Sequence, residues 1–147
     1  MSVVRVLATC LVLTLSFQVF AEDKSNLELV SPADADAEVF ILSPTHNQIV
    51  SSPLKVVFGA SNVTIASAGD NQPNSGHHHL LINITDLPDL SMPLPATEQI
   101  IHFGKGQTET EIELPPGTHT LQLLLGNYLH IPHQKPLISD RITVVVE

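Results

Sequence analysis

The chain has 147 residues, 43% of them hydrophobic, and carries six Lys and Arg against fifteen Asp and Glu, a formal net charge of −9. That balance disfavours nucleic acid and anionic lipid as partners and tolerates cations. The length supports one domain with a real core rather than two.

The first stretch reads as an export signal. Arg5 supplies a short positive region, Val6 to Phe20 is mostly apolar, and Val19-Phe20-Ala21 fits a cleavage site. Residues 1–21 are therefore expected to be removed after Ala21. The apolar run is shorter than the roughly 20 residues a membrane span needs. Leu7-Ala8-Thr9-Cys10 is a poor lipoprotein box, because Thr9 is unsuited to its place and the apolar segment before Cys10 is short. Cleavage would take away Cys10, leaving no disulfide, thiolate ligand or thiol nucleophile. It would also take Arg5, leaving five basic residues against fifteen acidic ones, a net charge of −10. An exported, acidic, cysteine-free chain suits a periplasmic or secreted location, with no membrane span once the signal is gone.

Residues 22–38 read as a flexible acidic linker, polar from Glu22 to Asn26 and small and acidic from Ser31 to Glu38. The folded domain is expected over 39–147. Val39 to Leu42 is a short apolar strand, and Pro44, His46 and Asn47 punctuate it. Leu54 to Ala60 alternates, with Leu54, Val56 and Phe58 on one face, and Val63 to Ala66 is another short strand. A polar loop over 67–75 then delivers the chain to Gly76-His77-His78-His79-Leu80-Leu81-Ile82-Asn83-Ile84. As a strand, this puts His78, Leu80 and Ile82 on the core face and His77 with His79 together on the other.

Pro88, Pro93 and Pro95 make 85–98 a long surface connection anchored by leucines. Gln99 to Phe103 is a strand containing His102, ended by Gly104-Lys105-Gly106. Thr108 to Leu114 and Thr118 to Leu125 read as a hairpin turning at Pro115-Pro116-Gly117, with Leu114 opposite His119 and Ile112 opposite Leu121. His119 is then expected to face the core and to take no part in metal binding. Asn127 to Lys135 is a loop carrying His130 and His133, and Ile142 to Val146 is the last strand. About seven or eight short strands without helical period imply an all-β, immunoglobulin-like antiparallel β-sandwich. Leu80, Ile82, Leu121, Leu123, Ile142 and Val144 are expected to share one core with Val56 and Phe58.

Four segments together resemble a known family. They are Ser43-Pro44, Gly76 to Ile82, His102 to Thr110 (HFGKGQTET), and Leu114 to Leu123 (LPPGTHTLQL). The combination is similar to a bacterial exported domain, domain of unknown function 4399, over about residues 40–146. The family pattern continues with an Asp-His-x-His-x-Pro-His-like segment. Here that segment is Asn127-Tyr128-Leu129-His130-Ile131-Pro132-His133, in which two histidines match and Asn127 and Tyr128 depart. The resemblance implies an extracytoplasmic domain and no particular activity.

The residues themselves point to a metal. Two histidines at alternate strand positions can share one ion, and neutral imidazole suits copper and zinc. The candidate ligands are His77 and His79 with His130 and His133 closing from the loop. His102, at its strand end, is able to replace either loop histidine. The sequence leaves open whether strand start and loop lie at the same end of the sandwich. Without cysteine, and with Met92 the one methionine beyond the signal, thiolate and methionine-rich sites are excluded. Cu(II) or Zn(II) is the expected ion, with no organic cofactor. No Gly-x-Ser-x-Gly or His-Glu-x-x-His pattern is present, so no enzyme is expected. The other reading is a structural or protein-interaction module of the cell envelope without metal, whose partner the sequence does not name.

Overall fold

The computed structural model describes residues 29–147; the expected signal over 1–21 and the first part of the expected linker lie outside them. Nine strands follow in order: β1 (Glu38–Ser43), β2 (Gln48–Val50), β3 (Leu54–Ser61), β4 (Thr64–Ile65), β5 (Ser75–Ile82), β6 (Ile100–His102), β7 (Glu109–Ile112), β8 (Gly117–Gly126) and β9 (Ile142–Val146). Among the described residues there is no helix, and hence none long and apolar enough to cross a membrane.

The strands form two sheets. One has the order β1-β3-β7; the other runs β2-β9-β8-β5-β4, with β6 also on β5. The β-sandwich is as expected, although β2 pairs β9 and β4 pairs β5 in parallel. Alternation along each strand fills the space between the sheets. Val39, Leu54, Val56, Phe58 and Ile112 come from one side; Leu80, Ile82, Leu121, Leu123, Leu125, Val144 and Val146 come from the other. Ile142 is partly buried against the same cluster. A second small core of Leu81, Leu94, Ile100 and Leu124 lies apart from it.

The hairpin expected over 108–125 is not formed. β7 pairs with β3, Leu54 opposite Ile112, while β8 pairs with β5 and β9. The Pro115-Pro116-Gly117 turn therefore carries the chain from one sheet to the other. His119 stands opposite Val144, not Leu114. The physical reason lies in the pattern. Ile112 and Leu114 facing Leu121 and Leu123 across a sandwich show the same alternation as they would side by side in one sheet. Two consecutive prolines favour the crossing, since neither can donate to a ladder.

Residues 29–37, read from sequence as part of a linker, run along the domain. Ala37 is buried in the main core. Gln134 N donates to the Ser31 carbonyl at 3.1 Å, Lys135 Nζ to the Ala35 carbonyl at 2.7 Å, and Asn74 Nδ2 to Asp34 Oδ2 at 2.8 Å. These ties lie beside the loop that carries His130 and His133.

Candidate metal centre

β5 supplies the floor of the site, and it is buried at every one of its eight positions. One face looks into the sandwich. There His78 packs on Phe58, ring centroids 5.2 Å apart. The other face carries His77, His79 and Leu81. It is buried because the connections after β5 and β8 fold over it: Leu94 N donates to the His130 carbonyl at 2.9 Å, and Leu124 and Gly126 bridge to Ile138 and Pro132. A strand with both faces covered cannot show a solvent face, so the polar residues on it are enclosed.

Strand register brings in a third histidine. His79 is directly opposite His102 on β6, and directly opposed residues share a face with their side chains in contact range. On the other side His77 is opposite Gly126. Gly126 makes room: a Cβ there would come within 2.8 Å of His79 Cε1 and 3.2 Å of the His130 Cα.

The fourth histidine comes from the loop after β8. His130 has a backbone φ of 68°, a left-handed conformation costing on the order of 1 kcal/mol for a residue with a side chain. Asn127 holds it. Its backbone N–H donates to the Ile131 carbonyl and its carbonyl accepts from His130 N, both at 2.8 Å. Its Oδ1 accepts from Leu129 N at 2.9 Å and Ile131 N at 3.0 Å, and its Nδ2 donates to the Leu29 carbonyl at 2.8 Å and Ser31 Oγ at 3.1 Å.

The four rings converge. His77 lies with its centroid 4.9 Å from each of His79, His102 and His130. His102 lies 5.2 Å from His79 and 4.6 Å from His130. One nitrogen from each of His77, His79 and His102 lies within 4.8 Å of the others. Ligand nitrogens about 2 Å from a shared ion are roughly 3–4 Å apart, so small ring movements suffice. His77 and His79 are wholly buried, whereas His102 and His130 are partly exposed and form the rim.

Neither ring nitrogen of His77 or His79 has a hydrogen-bond partner among the described residues, nor does His102 Nε2. Burial favours the neutral rings, and neighbouring imidazoles add to it. The His77 pKa is lowered to about 4, first by burial and then by the like charge of His102 and His130. That of His79 is lowered to about 3 by burial and then by His77, His102 and His130. His102 is lowered by burial and by His130. One nitrogen of each neutral ring therefore offers a free lone pair at neutral pH, as metal ligation requires.

His133 does not join them. It is buried apart from the four rings, with its Nε2 donating to the Ser75 carbonyl at 3.0 Å and its Nδ1 without a partner among the described residues. The reason is local: Pro132 bridges to Gly126 and turns the next residue toward the start of β5. His119 is buried with both nitrogens used, Nε2 donating to the Pro115 carbonyl and Nδ1 accepting from Asn83 Nδ2, each at 2.9 Å.

Comparison with known proteins places this site in context. The family described as Domain of unknown function (DUF4399) matches residues 56–147. The chain belongs to this family. The matched stretch of the DUF4399 domain contains all four clustered histidines together with Gly126 and Asn127. No curated protein matches the chain. Among solved structures, the fibronectin(III)-like modules of Clostridium thermocellum CbhA are similar at 14% identity and a TM-score of 0.39, over 74% of this chain and 92% of that one.

Gly126 was not singled out by sequence reasoning, and Asn127 was noted only as a departure from the family pattern. The available signal was a Gly-Asn pair ending a leucine-rich strand, where a small residue and a turn-former meet. In the DUF4399 domain Asn127 ties the His130 loop to the segment before β1. Asn127→Ala leaves buried backbone groups unpartnered, each costing about 1–3 kcal/mol. Urea unfolding of the variant is expected to show a loss of that size; a loss below about 0.5 kcal/mol would mean Asn127 does not hold the loop.

Proposed function

We propose that this domain binds one divalent transition-metal ion, copper or zinc, in an extracytoplasmic compartment. His77, His79 and His102 supply the nitrogens, and His130 closes over them. The observation that carries the reading is the convergence of His77, His79 and His102, one nitrogen of each within 4.8 Å of the others, with buried ring nitrogens that have no partner among the described residues; His78, also unpartnered, faces the core away from them. An unsatisfied buried polar atom costs about 1–3 kcal/mol, and a cation taking the lone pairs offsets that cost. The neutral state of the rings and the left-handed His130 favour the same reading.

Imidazole nitrogens without thiolate or thioether suit Cu(II) and Zn(II), and copper stands above zinc in intrinsic affinity. Residues 1–21 have the pattern of an export signal, which supports a periplasmic or secreted location. The role proposed is binding, buffering or delivery of the ion. Calorimetric titration of the purified protein with Cu(II) and Zn(II) is expected to show one site per chain, tighter than about 1 μM. Several weak sites, or none, would contradict the reading.

A further inference from the structure

The cluster is uniform in charge as well as in chemistry. His77, His79 and His102 form a candidate ligand group that contains no Asp or Glu among the described residues. Asp70 lies on the turn that touches both rim loops, where Ala68 N donates to the Gly104 carbonyl and Gly69 N to the Tyr128 carbonyl, each at 2.9 Å. Its Oδ2 is taken by Gln72 Nε2 at 2.6 Å. Metal-bound histidines commonly donate their second nitrogen to a carboxylate or carbonyl, which makes the ring a stronger donor. Among the described residues His77 and His79 make no such hydrogen bond.

Three neutral imidazoles leave a divalent ion with its full formal charge. Two of its ligands are wholly buried, and an uncompensated charge in such a place is costly. Three ligands also leave a coordination position open, since His130 is not among the group whose nitrogens lie within 4.8 Å of one another. The rim, where His102 and His130 are partly exposed, is the side open to solvent.

We infer that the site takes its divalent ion together with one small monovalent anion from solution, bound to the metal at the rim beside His130. This rests on the metal-binding reading above. The anion halves the net charge and fills the open position without any further group from the chain. Metal and anion then bind with positive coupling, each raising the other's affinity by the same factor.

The sign of that coupling is the test. Zn(II) is titrated into the wild-type protein by calorimetry in chloride-free buffer, with and without sodium azide. The apparent Kd is expected to fall at least about fivefold in azide. Azide also competes for free zinc, so without a ternary complex the apparent affinity weakens or stays constant. Either result overturns the inference while the metal site stands. Absence of zinc binding in both buffers overturns the metal site itself.

Discussion

Replacing His77 and His79 together with alanine is expected to weaken Cu(II) or Zn(II) binding by at least a hundredfold. The two rings supply two of the three nitrogens that lie within 4.8 Å of one another. Each tenfold loss corresponds to about 1.4 kcal/mol, a modest amount for one metal–imidazole bond, and two ligands are lost. His102→Ala is expected to weaken the same single site, because His102 stands opposite His79 in the sheet. His133→Ala makes the contrast. Its Nε2 is bonded to the Ser75 carbonyl, so metal affinity should change by less than about twofold even if stability falls. Competition titrations on the four proteins, each checked for folding by circular dichroism, measure this. Unchanged affinity in the double variant, or a larger loss in His133→Ala, would contradict the assignment.

The second large effect is on stability against acid, without metal. Buried His77 and His78 have pKa values lowered to about 4, and His79 to about 3, from 6.5. Between those values the unfolded chain binds protons that the folded chain does not. Folding stability is thus fully present above pH 6.5 and is lost as pH falls from there toward about 4. Discounting for solvent reorganisation around the rings, the three together are expected to remove roughly 3–6 kcal/mol by pH 5. Most domains are stable by only about 5–15 kcal/mol, so the metal-free protein should approach unfolding. Urea midpoints at pH 7.5, 6.5, 5.5 and 5.0 measure the slope. A flat profile would mean these rings are hydrated enough to titrate normally. Addition of zinc at pH 7 should raise the midpoint, since a ligand of the folded state stabilises it by mass action.

The core was legible because alternation records which face is buried: Val56, Phe58, Leu80, Leu121, Leu123 and Val144 all lie in it. Pairing was less so. Ile112 and Leu121 have the same pattern whether adjacent in one sheet or opposed across two, and only the ladder from β7 to β3 decides between them. In the site, the pairing of His77 with His79 follows from a two-residue period, a local property. His102 is brought in by register between strands about twenty residues apart in sequence, which no local pattern encodes. The choice of His130 over His133 depends on a left-handed turn set by Asn127 and on where Pro132 lies. Those are tertiary contacts of a loop. The burial of the histidine face itself was hidden, because the covering segments are the proline-rich connection and the loop after β8.

The metal-binding reading requires one ion among His77, His79 and His102. Anomalous diffraction from crystals soaked in Zn(II) or Cu(II) tests it most directly. A single strong peak is expected at about 2.0–2.1 Å from one nitrogen of each of these three rings, with the His130 ring beside it. A peak on His133, on His46 or among surface carboxylates, with no density between the three rings, would contradict it.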